Sequence, residues 1–194
     1  MWMAAAFASA AALSALVLTV FGAGERGTVI ALQLTARLSF LLFWLAYAGG
    51  GLAALFGPVF QPLKRHGRDL GLAFAAAHLV HVALVAWLCW IGATPASGVF
   101  LFFGPPLALV YLLALASIGR LQRMIGRSFW WLLRTVAMTW IAYAFAVDFL
   151  HGARGSDAKH IIGYLPFAVL SVAGPLLYFL PLLPPPGRLW KASS

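Results

Sequence analysis

The chain has 194 residues, of which 63% are hydrophobic and 9% charged, and its mean hydropathy is +0.96. That balance lies far outside the soluble globular range and excludes a water-soluble enzyme domain. The formal net charge of +9 does not point to nucleic acid, because the Lys and Arg residues fall mainly at the ends of apolar runs and form no basic face with interleaved aromatics.

The apolar runs are Met3–Phe21, Thr28–Phe56, Leu70–Ile91, Val99–Leu115, Phe129–Leu150 and Ile161–Leu183. A bilayer core of ~30 Å needs about 20 apolar residues in helical form, and each run approaches or exceeds that length. In lipid the backbone N–H and C=O groups must be satisfied within the segment, so such runs are helical. The pattern predicts an all-α integral membrane protein, a six-helix bundle in which residues 1–187 form one domain and residues 188–194 a short tail. Cys89 is the only cysteine, which excludes an intramolecular disulfide and a thiolate metal cluster.

In chain order, the first run is alanine-rich and lacks a basic leader, so it reads as a retained helix and not a cleaved signal. The second carries Arg37 and the triplet Gly49-Gly50-Gly51, and it ends at Gly57-Pro58 and Pro62. Glycines inside a span allow a neighbouring helix to approach closely, whereas proline ends a helix by lacking the N–H. The third run holds His78 and His81. In the fourth, Gly104-Pro105-Pro106 predicts a kink or an irregular first turn. The fifth opens with Trp130 and Trp131 beside Arg127, an interfacial anchor, and carries Arg134, Asp148 and His151. Pro184-Pro185-Pro186 closes the sixth, Trp190 beside Arg188 and Lys191 reads as a second anchor, and the final four residues read as disordered.

Basic residues set the expected orientation. Lys64, Arg65, Arg68, Arg120, Arg123, Arg127, Arg188 and Lys191 share one side of a six-span protein, and Arg26, Arg154 and Lys159 the other. The positive-inside rule places both termini in the cytoplasm of a bacterial inner membrane, with the basic ends touching anionic lipid.

His78 and His81 are three residues apart and project from one side of their helix. At ~1.5 Å per residue from Leu70, His81 is about 16 Å deep, near the bilayer midplane. Ionisable residues at that depth mark ion pathways or cofactors. Haem, metal, quinone and proton relay are all compatible chemistries; the bland alternative is an imidazole bonded to a serine or a carbonyl on a neighbouring helix. Two histidines on one helix cannot clamp a haem between them, and a zinc site lacks two further donors at that depth. Arg134 lies close enough to its helix end to snorkel. Arg37 is deeper and could meet a propionate, a lipid phosphate or a carboxylate, whereas Asp148 beside His151 reads as solvated near the outer edge.

Taken in order, these features resemble the ferric reductase-like transmembrane family, in the branch that includes the haem-binding membrane subunit of the periplasmic methionine sulfoxide reductase system. The resemblance runs from Gly27-Thr28 and Arg37, through Lys64-Arg65-His66-Gly67-Arg68 and Gly71-Leu72 to His81, and on through Leu115-Ala116-Ser117, Arg120, Arg123 and Gly126-Arg127 to Leu132-Leu133-Arg134. It implies a b-type haem ligated by His81, with His78, Arg37, His151 and Arg134 as further cofactor-binding residues and quinol or a flavoprotein as donor. The chain departs from the family where a histidine is typical at the position of Leu133, and again lower in the fifth helix, where Phe145 and Ala146 stand. His151 is some 18 Å further out than His81 at ~1.5 Å per residue, too far to flank the same iron.

Two functions follow. One is a haem-binding electron-transfer subunit with a redox partner at the membrane, since no loop offers a flavin or nicotinamide site. The other is a haem-free accessory or assembly subunit of a membrane protein complex. A small transporter is the weakest reading, for lack of paired broken helices or a repeat. The basic asymmetry gives a direct test of topology: reporter fusions after Pro62, Arg123 and Ser194 are expected to read as cytoplasmic, and those after Gly24, Pro95 and Gly155 as periplasmic. An inverted pattern would overturn the orientation.

Overall fold

The protein is described by a computed structural model covering residues 1–118, 126–154 and 158–182. Arg120, Arg123, the Pro184–Pro186 stop, the Trp190 anchor and the 188–194 tail lie outside the described residues. Six long helices account for nearly all the rest: α1 (Trp2–Phe21), α2 (Glu25–Phe56), α3 (Gly67–Trp90), α4 (Ser97–Ile118), α5 (Arg127–Gly152) and α6 (Ala158–Phe179). Each contains a stretch long and apolar enough to cross a membrane, so the chain is a multi-pass helical bundle. A 3₁₀ turn, Pro58–Phe60, and a short helix, Gln61–Arg65, join α2 to α3.

Helix limits follow local chemistry. α2 begins at Glu25, upstream of the apolar run, because a carboxylate in the first turn faces the positive end of the helix dipole. It stops at Gly57, where φ is +79°, a backbone conformation that suits a residue without Cβ. α4 departs from expectation: it starts at Ser97 and runs unbroken through Pro105 and Pro106. Those prolines leave the Leu101 and Phe102 carbonyls without their intrahelical donors. The helix persists because no other conformation pairs the remaining backbone groups in hydrocarbon.

Packing places α2 at the hub. It contacts α1, α3 and α6, while α3–α4, α4–α5 and α5–α6 contacts complete a ring, and α1 lies outside it against α2 and α3. The ring is filled by Phe40, Phe43 and Tyr47 of α2, Phe74 of α3, Val110 of α4, and Ile141 and Phe149 of α5. Direction alternates from helix to helix. Trp2 stacks on His66 with ring centroids 5.7 Å apart at one end of the bundle. At the other, Trp87 Nε1 donates to the Ala23 carbonyl at 2.9 Å.

Small residues set the α2–α6 spacing. A Cβ on Gly51 would run into the Leu177 carbonyl, and one on Gly49 would lie 2.9 Å from Leu63 Cβ, whereas Gly50 has open space. Higher up the same interface, Trp44 Nε1 donates to the Leu170 carbonyl at 2.8 Å. Its indole crosses Gly174, where a Cβ would lie 3.1 Å from Nε1. Tyr178 then stacks on Tyr47 at 4.6 Å and lies 3.1 Å from the Thr135 hydroxyl, tying α2, α5 and α6 together. Gly51→Val is therefore expected to destabilise the bundle by about 1–3 kcal/mol through overpacking. Gly50→Ala should stay within about 0.5 kcal/mol of the parent. Unfolding titrations in mixed micelles check both.

Candidate functional site

α3 brings its histidines to the α2 interface on a bed of small residues, Ala73, Ala75 and Ala77, all buried. The His78 and His81 rings stack at 5.0 Å with an interplanar angle of 12°. His81 Nδ1 lies 3.1 Å from Thr35 Oγ1. The Thr35 hydroxyl proton is directed to the Ala31 carbonyl at 2.8 Å, with the Leu32 carbonyl at 3.1 Å. With its proton on the Ala31 carbonyl, the Thr35 oxygen can accept from His81 Nδ1–H. That bond fixes the tautomer and leaves the lone pair on Nε2.

The surroundings of His78 are aromatic. Its ring is 5.4 Å from Phe74 and 6.3 Å, edge-on, from Phe145 of α5. Phe145 in turn packs on Phe40 at 5.2 Å, Phe43 at 5.6 Å and Phe149 at 6.0 Å. Two cross-links, Thr35 to His81 and Phe43 to Phe74 at 5.3 Å, run antiparallel between α2 and α3. Ser39 and His78 lie between them along their helices. Ser39 Oγ and His78 Nδ1 are both buried without a hydrogen-bond partner among the described residues.

Arg37 belongs to a different place. It is two residues from Thr35 and so points about 200° away around α2. Its guanidinium sits 4.9 Å above the Tyr164 ring and 5.6 Å above Phe167, both on α6. Such cation–π contacts contribute about 0.5–2 kcal/mol when desolvated. Asp148 is within electrostatic reach of Arg37 and of His151. His151 is exposed in the last turn of α5. Arg134 is exposed at the opposite end of the bundle, where it lines a cavity with Arg68 and Trp130. Of the five residues the resemblance groups around a cofactor, the fold therefore brings together His78 and His81, and disperses Arg37, Arg134 and His151. Sequence reading missed Thr35 and Ser39. Their signal was present: residues 35, 39, 43 and 47 recur every fourth position, one stripe of α2 that carries the hydroxyls and then the aromatics to the core.

Compared with protein-family models, curated proteins and solved structures, the chain matches none of them.

A bis-histidine haem fails a geometric test against these residues. It needs a donor on each side of the iron, and the α5 residue whose ring meets His78 is Phe145. Among the described residues no three His, Cys, Asp or Glu side chains converge. Neither histidine lines the cavity near Arg68, of about 130 Å³, or the open pocket of about 610 Å³ beside Thr135, Thr139 and Tyr143.

The Thr35–His81 bond carries its own prediction. A double-mutant cycle of Thr35→Val and His81→Leu is expected to give a coupling of about 0.6–1.7 kcal/mol, the range for interhelical bonds in membrane bundles. Equilibrium unfolding in micelles measures it, and zero coupling would show that the bond does not hold α2 to α3.

Proposed function

We propose that this chain is a haem-free six-span protein of ferric reductase-like architecture in a bacterial inner membrane, acting as an accessory or assembly subunit of a membrane protein complex. The observation that carries this reading is Phe145, in the stretch of α5 where the resemblance calls for a histidine, whose ring packs against Phe40, Phe43, Phe149 and His78. The polar side chains in the interior support it as well. Thr35 with His81, Trp44 with the Leu170 carbonyl, and Thr135 with Tyr178 each join two helices. These groups hold the bundle together.

A second reading, a b-type haem electron-transfer subunit fed by quinol or a flavoprotein, is favoured by one observation: the Thr35 bond leaves His81 Nε2 with its lone pair, the tautomer an iron ligand requires. An absorption spectrum separates the two. The protein purified in detergent from haem-replete cells is expected to be colourless, and to migrate in native gels as part of a larger assembly. A reduced-minus-oxidised Soret and alpha band that disappears in His81→Ala would overturn the haem-free reading.

A further inference from the structure

The end of the bundle that carries Lys64, Arg65, Arg68, Arg127 and Arg134 has one acid among the described residues, Asp69. Asp69 is already engaged, since its carboxylate lies 3.2 Å from His66 Nδ1. Of the other acids in the chain, Glu25 and Asp148 belong to the opposite end. The cations here face a deficit of negative charge.

Two of them converge. Arg68, in the first turn of α3, and Arg134, two turns into α5, line the same 130 Å³ cavity. Their helices begin at this end, so their positive dipole ends face the same region as the guanidinium groups. Arg68 donates through one nitrogen to the Ser117 carbonyl at the end of α4, which anchors it and leaves further donors of the guanidinium available. Gly67 and Gly71 add no side chain to the mouth, and a Cβ at Gly71 would meet nothing within 4 Å. Among the described residues, no carboxylate lines the cavity.

The deeper wall has the opposite character. Below Arg68, Arg134 and Trp130 it is formed by Phe43, Phe74, Val110, Leu113, Met138 and Ile141. The cavity lies among α3, α4 and α5, where the α3–α4 seam is the least extensive in the ring. Paired guanidinium groups over an apolar floor match a phosphate attached to a hydrocarbon stem. A free phosphate would find the cations but would gain nothing from the floor.

We propose that this cavity binds the phosphate of an anionic phospholipid, held between Arg68 and Arg134, with its glycerol stem beside Trp130, the first carbons of an acyl chain at the apolar wall and the rest of the lipid in the bilayer. Basic pockets between transmembrane helices take lipid head groups by this combination of charge and depth.

The test uses the full chain in nanodiscs and in detergent, with phosphatidylglycerol and phosphatidylcholine of identical acyl chains as probes. Native mass spectrometry is expected to show phosphatidylglycerol retained roughly tenfold over phosphatidylcholine, since each basic side chain near a lipid surface adds a favourable charge interaction. Arg68→Gln with Arg134→Gln should abolish the preference, whereas Arg26→Gln at the opposite end should preserve it. If the double variant does not fold, Arg134→Gln alone, at an exposed position, should reduce the preference severalfold. Equal retention of the two lipids, or a preference unchanged in the Arg134 variant, would refute the site. Displacement of the lipid by soluble glycerol phosphate at equal concentration would overturn the lipid assignment in favour of a free phosphate.

Discussion

Helices in a bilayer gain little from burying apolar side chains against one another, because lipid is as apolar as the side chains are; close packing and interhelical hydrogen bonds have to hold them together. α2 satisfies that constraint for the whole bundle by presenting different chemistry on different faces. Toward α3 it offers Thr35 as an acceptor for His81. Toward α6 it offers Gly51 for backbone contact and Trp44 as a donor to the Leu170 carbonyl. The phenylalanines on the intervening stripe reach across the ring to α5. Without these contacts the remaining helices would have few reasons to choose these neighbours.

The same constraint governs the hydroxyls. Ser14, Thr28 and Thr35 each return their proton to a carbonyl four residues back, and Ser171 to one three residues back. These four hydroxyls thus keep no unpaired proton and can use the oxygen as an acceptor for a neighbour, whereas Ser39 Oγ is buried without a partner among the described residues. His81 exploits this at Thr35. It is a stabilising contact and an orienting one together, which is why the bond supports helix packing and tautomer control alike.

Hydropathy made the spans legible, since an apolar run of this length has one physical solution in lipid, and all six helices overlap the runs read from sequence. Glycine logic was legible too: Gly49 and Gly51 meet neighbouring backbone or Cβ atoms as expected of small residues in a span. The prolines of α4 were harder, because their local preference against helix loses to the cost of unpaired backbone in hydrocarbon. The histidine pair was visible from its three-residue spacing. Its partner was not, because spacing along α3 says nothing about which α2 residue stands opposite. Arg37 illustrates the same gap. Depth along the helix was computable from sequence, but the 200° between Arg37 and Thr35 acquires meaning only once α3 and α6 are known to flank α2 on different sides.

α4 carries a mechanical consequence. With Pro105 and Pro106 on successive positions, two rungs are missing from its hydrogen-bond ladder at one level, just where the Leu101 and Phe102 carbonyls lie. A rod with two rungs removed at one level bends most easily there. The α3–α4 contact is also the thinnest in the ring, so on that side flexing at the prolines is opposed at the Ser117 end of α4 chiefly by the hydrogen bond from Arg68. The prolines therefore concentrate the weakness of the α4 internal ladder at that one level.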